Sequence, residues 1–186
     1  MQDIRDALVQ YYRWLRRYGY NDSHSGNISA RNDDTMWVTP TGACADTIHA
    51  ADFVACSMNG DIGEGASGDA NLHLAIYRAN ARAGAVIHSH CPYAVALTLN
   101  GEDFEPPDFE GQLYFPQVPV VSVPYAAYFQ DAAPRVAEAL AAHPVAIVRG
   151  HGVYAWGENL NQAYKWTCSL ELSAQTAFIG RQAGTC

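Results

Sequence analysis

Gly84-Ala85-Val86-Ile87-His88-Ser89-His90-Cys91-Pro92 is the stretch from which the fold and the chemistry are read. An apolar run ends in two imidazoles two residues apart. If the run is a strand, both rings leave the same face of the sheet. By itself the pair suits a buried structural role or any of several metals. A site needs a third ligand, an acid and something to hold a substrate.

Outward from that stretch, the chain divides into elements by apolar period and turn residues. Ile4, Ala7, Leu8, Tyr11, Leu15 and Tyr18 recur at helical spacing over Asp3 to Tyr18, with Arg13, Arg16 and Arg17 between them, and Gly19 ends the helix. The arginines form either an anion patch or a solvated face. β-prone runs follow at Ser25 to Arg31 and Thr35 to Val38. Asp52 to Met58 reads as a strand, with Asn59-Gly60 as a hairpin turn into Asp61-Ile62. A small-residue loop, Gly63 to Gly68, leads into a helix over Asp69 to Arg78 that turns Leu72, Ile76 and Tyr77 inward and that Ser67 or Asp69 could cap. Beyond the histidine pair, Pro92 to Leu99 reads as a helix and Glu102 to Pro116 as the longest irregular segment. Val118 to Val123 reads as a strand and Ala132 to Ala142 as a helix. A strand over Ala146 to Arg149 is extended past Gly150-His151-Gly152 by Val153 to Trp156, and Leu160 to Ile179 closes the chain as a helix.

The 186 residues fit one domain spanning 1–186, long enough for a core without disulfides. A net charge of −8 without a Lys/Arg cluster argues against nucleic acid. No apolar run approaches the roughly 20 residues of a membrane span, and the N-terminus carries acids where a secretion signal needs bases, so a soluble, cytoplasmic protein is expected. Five dispersed cysteines without a Cys-x-x-Cys pair fit reduced thiols. A charged fraction of only 16% favours an oligomer, because surface is left over to bury against partners.

His88, His90 and His151 then stand at the ends of strands. Three neutral imidazoles are a ligand set that leaves Zn²⁺ or a similar ion one or two open positions. The motifs Gly26-Asn27-Ile28-Ser29, Thr39-Pro40-Thr41-Gly42, Ser67-Gly68-Asp69 with Leu72 to Tyr77, Val86-Ile87-His88-Ser89-His90 and Gly150-His151-Gly152 resemble, in this order, those of the class II aldolase/adducin family, over about Leu8 to Ala177. The resemblance implies an α/β fold with a largely antiparallel central sheet flanked by helices, assembled as a homotetramer with active sites at subunit interfaces. It implies Zn²⁺, or another divalent ion such as Mn²⁺, Co²⁺ or Fe²⁺, on His88, His90 and His151. Asn27, Thr41, Gly42, Ser67 and Gly68 would surround the phosphate of a small sugar phosphate, and Asp69 would be the acid/base.

The implied reaction is lyase chemistry: cleavage of a carbon–carbon bond in a sugar phosphate or related hydroxy-carbonyl compound through a metal-stabilised enediolate. A 4-epimerase of the ribulose-phosphate type, a dehydratase or a decarboxylase would use the same ligand set. Two departures matter. The family's phosphate aldolases carry Glu where this chain has Asp69, while its 4-epimerases carry Asp. The chain also ends at Cys186 without the tail that carries a late tyrosine in both. Glu110 and Tyr114, near the segment that holds an acid in the epimerases, are the candidates to replace the missing proton donor. His24, just before the Gly26-Asn27 turn, is either a substrate-facing ring or a surface-loop histidine.

Overall fold

A computed structural model describes residues 3–185; Met1, Gln2 and Cys186, which entered the N-terminal and cysteine readings, lie outside the described residues. Seven strands form one sheet in the order β3-β2-β1-β4-β7-β6-β5. They are β1 (Asn27–Asn32), β2 (Thr35–Val38), β3 (Val54–Ser57), β4 (Ala85–Ser89), β5 (Val120–Val121), β6 (Val145–Val148) and β7 (Gly152–Gly157). Every neighbouring pair is antiparallel except β5 with β6. The expected largely antiparallel α/β sheet is present.

The quoted stretch forms β4, buried at every position and central in the sheet. Helices cover both of its faces, which is why an antiparallel strand reads as a continuous apolar run instead of an alternation. On one face, Val86 joins Met36, Val38, Ala146, Val148 and Tyr154 under α2 (Ala70–Ala79) and α5 (Tyr128–Ala142). On the other, Ala85 and Ile87 pack with Ile28 and Ala30 under α1 (Ile4–Arg17) and the start of α6 (Leu160–Ala183). The same layer continues over β6 and β7 with α3 (Pro92–Leu97) and the rest of α6. Leu8 and Leu15 of α1 are fully buried, each stabilising the fold by roughly 1.5–3 kcal/mol.

Several readings shift. Helix α1 buries Tyr12, whose hydroxyl donates toward the carbonyls of Ser25 and Ala43, whereas Tyr18 is exposed. Its arginines form a solvated face: Arg16 meets Asp46 at 3.7 Å and Arg13 donates to the Ile48 carbonyl. Asp61-Ile62 is no strand: β3 pairs with β2 on one side, and on its outer side receives only a single return bond, from the Ser57 amide to the Asp61 carbonyl, too little for a ladder. The segment taken as irregular contains α4 (Phe109–Tyr114), opened by Asp108 accepting from the Gly111 amide. Helix α5 begins at Tyr128, earlier than expected. Val153 to Trp156 does not extend β6; with Gly150 in the left-handed region (φ 67°), the chain reverses and β7 pairs back antiparallel on β6. Cys44, Cys56, Cys91 and Cys168 are free thiols. Among the described residues no helix is long and apolar enough to cross a membrane.

Candidate metal centre

Strand pairing sets side by side three residues far apart in sequence. Asn27 on β1 faces His88 on β4, and His88 faces Tyr154 on β7. Directly opposed residues share a face of the sheet, so this row carries an amide, an imidazole and a phenol. The His88 ring stacks on that of Tyr154, 4.2 Å between centroids and 8° from parallel. Its Nδ1–H donates to the Val153 carbonyl at 3.1 Å, which leaves the Nε2 lone pair free. Such a bond fixes tautomer and ring orientation in metal-ligating histidines.

His90 follows the end of β4 and is held by its backbone: its amide donates to the Tyr20 carbonyl and to Asn21 Oδ1, both at 2.9 Å. His151 sits in the β6–β7 turn, its amide donating to the Val148 carbonyl. The ligand atoms of His88, His90 and His151 all lie within 4.8 Å of one another. Glycine makes the convergence possible. A Cβ on Gly152 would press on the Ser89 carbonyl and stand 2.7 Å from His88 Cε1, and one on Gly26 would stand 2.6 Å from the His88 carbonyl. Burial holds all three imidazoles below the ordinary histidine value, so they are neutral donors at neutral pH. Three neutral nitrogens gathered this closely fit a divalent ion such as zinc.

Asp69 occupies the N-cap of α2 without capping it, its own amide donating to Ser67 Oγ. The carboxylate turns inward. Its Oδ2 accepts from Asn27 Nδ2 at 2.8 Å and from the Tyr154 hydroxyl at 3.0 Å, and its Oδ1 accepts from the Tyr128 hydroxyl at 3.1 Å. The two phenols also touch each other, so two protons serve three oxygen–oxygen contacts. Burial alone would raise the Asp69 carboxyl, but His88, the Asn27 amide, His73 and Tyr154 outweigh it and hold the group below its usual value. Burial and the adjacent Asp69 charge push both phenols upward.

An open cleft of about 330 Å³ joins the triad and Asp69 to the expected anion-binding residues Asn27, Thr41, Gly42, Ser67 and Gly68, with His24 on its rim. Two distant loops meet there through the Pro40–Ala66 bridge and the Ser67 amide donating to the Thr39 carbonyl at 3.0 Å. Among the described residues no Lys or Arg lines this cleft. A larger groove of about 570 Å³ along α1 lies apart from it and mixes Arg13 and Arg17 with Asp6 and Asp46. Glu110 and Tyr114 do not join the site within one chain. Glu110 is exposed on α4, and Tyr114 lies against Trp166 with the Lys165 ammonium 4.0 Å over its ring. Tyr128 and Tyr154 were missed by sequence reasoning. The only available signal was the even offset of Tyr154 from Gly152, which puts both on one face of a strand.

The fold and the three convergent imidazoles define an α/β protein with a candidate divalent-metal site at the ends of its central strands. The family described as "Class II Aldolase and Adducin N-terminal domain" matches residues 6–178, and the chain belongs to that family. It is 26% identical over 162 residues to an L-fuculose phosphate aldolase of Methanococcus maripaludis, covering 86% of this chain and 87% of the relative. It is 32% identical over 160 residues to a methylthioribulose-1-phosphate dehydratase of Acidiphilium cryptum, covering 78% and 76%. The crystal structure of L-fuculose-1-phosphate aldolase from Thermus thermophilus superposes with a TM-score of 0.88 at 33% identity, over 95% of this chain and 94% of that one.

Proposed function

We propose that this protein is a single-domain, cytoplasmic, metal-dependent lyase of the class II aldolase type, acting on a small sugar phosphate or related hydroxy-carbonyl compound. The observation that carries the reading is the triad His88, His90 and His151 with the buried Asp69 carboxylate beside it in one cleft. A divalent ion held by the three imidazoles, zinc or else manganese, cobalt or iron, would act as a Lewis acid on the substrate's carbonyl oxygen. Asp69, ionised and 4.0 Å from His88 Nε2, moves the proton at the reacting carbon or oxygen. The amides of Gly42 and Gly68 and the hydroxyl of Ser67 receive the anionic end, neutral donors that bind an oxyanion without a lysine, while Thr41 shapes the loop, its hydroxyl and amide donating to the carbonyls of Ala66 and Gly65.

The proton donor on the other side of the substrate is assigned to Glu110 and Tyr114 of a neighbouring copy in a homotetramer. In support, α4 exposes Phe109 and Leu113, apolar surface of the kind buried between subunits. Dehydration is the second reading, favoured by the similarity to the methylthioribulose-1-phosphate dehydratase; epimerisation or decarboxylation would draw on the same residues. Incubating the metal-loaded protein with a panel of ketose phosphates and following the products by NMR separates these. Free aldehyde is expected. Loss of water, an epimer or carbon dioxide without aldehyde would replace the lyase assignment.

A further inference from the structure

The turn that carries His24 to the cleft is pinned from several sides. The Tyr20 carbonyl accepts from the amides of His90 and Cys91, and Asn21 Oδ1 accepts from that of His90. The Asp22 amide donates to Ser25 Oγ, the His24 amide to Asp22 Oδ1 and the Ala45 amide to the Ser23 carbonyl. From below, the buried Tyr12 hydroxyl donates toward the carbonyls of Ser25 and Gly26. The His24 ring is therefore exposed on a fixed base, and it stands on the cleft's rim with Nδ1 2.9 Å from Ser23 Oγ. Nε2 has no hydrogen-bond partner among the described residues and is the nitrogen left to meet a ligand. A hydroxyl donates as well as accepts. With the ring neutral, Ser23 can donate to Nδ1 while Nε2 keeps the proton; with the ring charged, both nitrogens donate. In either state Nε2–H can face an anion.

Apart from the triad, His24 is the one cleft-lining side chain among the described residues that can carry positive charge. The other donors at the anion end are neutral: the amides of Gly42 and Gly68, without an acceptor among the described residues, and the hydroxyls of Ser25 and Ser67. They come from three separate turns around one space, an arrangement suited to a tetrahedral group with several oxygens more than to a planar carboxylate with two. The surroundings oppose a dianion, because the chain carries a net charge of −8 and ionised Asp69 shares the cleft. Coulombic energy scales with the product of the charges, so a cation on the rim attracts a dianion about twice as strongly as a monoanion at the same distance.

We infer that His24 is a specificity-determining residue of the anion end, a charge-assisted donor that selects a substrate's phosphate group over a carboxylate. The inference rests on the anion-end reading proposed above and narrows it.

Sulfate, a tetrahedral dianion, and acetate, a planar monoanion, test it. Zinc-loaded, isotope-labelled wild type, His24→Ala and His24→Gln are titrated with each at about pH 6, on the acid side of free imidazole. Amide NMR spectra read affinity and location together, and circular dichroism checks the fold. In wild type, sulfate should shift the Gly42 and Gly68 amides and bind about tenfold tighter than acetate. His24→Ala should weaken sulfate by about tenfold and acetate by about threefold, half as much in free energy. His24→Gln, which keeps a donor without the charge, should lose most of the same sulfate affinity. Wild-type sulfate affinity in either folded variant would overturn the inference, as would equal losses for the two anions. Sulfate that leaves the Gly42 and Gly68 amides of wild type unmoved would remove the anion-end reading and the inference with it. Failure of the ketose phosphate panel to give a product would instead remove the lyase reading, an outcome that this comparison of anions does not share.

Discussion

Adding one methyl group at Gly152 should dismantle the metal centre while leaving most of the fold intact. In Gly152→Ala the new Cβ presses on the Ser89 carbonyl and stands 2.7 Å from His88 Cε1 and 3.2 Å from His90 Cδ2. Carbon atoms in contact normally sit about 3.5–4.0 Å apart, so the His88 ring must retreat by roughly 1 Å. It has nowhere to go: its Nδ1 is bonded to the Val153 carbonyl and its face lies on Tyr154. The strain is relieved by prising β4 from β7 or by rotating the ring off its rotamer, overpacking that costs about 1–3 kcal/mol. At about 2–4 °C per kcal/mol for a chain of this size, the apo protein should melt roughly 2–12 °C lower. Metal affinity should fall by about 10–100-fold, as when the supports of a ligand are lost. Isothermal titration with Zn²⁺ and differential scanning calorimetry measure both. Gly19→Ala is the control: it strains a left-handed position (φ 78°) with no atom within 4 Å of the new Cβ, so it should lower stability and leave Zn²⁺ binding alone. Wild-type Zn²⁺ affinity in Gly152→Ala would refute the argument that glycine is what lets β7 pass behind the ligands.

His73 is fully buried and pushed down to about 4 by burial, with Asp69 opposing. Below its ordinary value near 6.5 the unfolded chain takes up a proton that the folded one refuses. Stability should therefore fall as pH drops from about 6.5 toward 4, by about 3 kcal/mol from this group. Urea titrations of metal-free protein across that range should show a shallower slope in His73→Gln, and equal slopes would count against it. Ser29 Oγ meets His73 Nδ1 at 2.7 Å and the Tyr77 hydroxyl at 2.8 Å; Ser29→Ala takes this partner from the buried His73 ring, leaves Tyr77 with its Val86 backbone bond, and should cost about 1–3 kcal/mol in urea unfolding. Glu171 on α6 accepts from the amides of Tyr93 and Ala94 at 2.9 and 3.0 Å, tying down the helix that follows His90. Glu171→Gln turns a donor toward one of those amides and should lower the melting temperature by roughly 2–6 °C.

The three convergent histidines were legible as a candidate ligand set because His88 ends an apolar run with His90 two residues on, and His151 stands between two glycines just past another such run. Asp69 was legible only as part of an ordered set of motifs; locally it passes for a helix cap, a role the structure denies it. Tyr154 and Tyr128 could not be found that way. The position of Tyr154 beside His88 depends on the β4–β7 register, and that register follows from the reversal at Gly150. Reading Val153 to Trp156 as a continuation of β6 hid it. Tyr128 enters through α5, whose first turn contains too few apolar residues at helical spacing to announce itself. Residues brought in by pairing and packing are the ones that periodicity leaves unseen.

Glu110 and Tyr114 show the converse, a reading made from sequence position that a single chain does not realise. Helix α4 cannot swing to bring them in. Gly111 is wedged so that even a Cβ would stand 2.6 Å from Ser173 Oγ and 2.8 Å from Asp108 Oδ1, while Tyr114 is anchored on Trp166 and Lys165. Any service these two side chains give to the cleft must therefore come from one copy to another. The exposed apolar surface is distributed accordingly: Phe109 and Leu113 on α4, and Tyr125 and Phe129 beside Tyr128, with Phe129 also lining a separate pocket of about 140 Å³ that reaches Gly68 and Asp69. The three histidines and Asp69 meet within one chain because the central strands and the start of α2 carry them to one cleft. Phe109 and Leu113 of α4 and Phe129 of α5 stay exposed in a single chain, surface of the kind that a second copy buries.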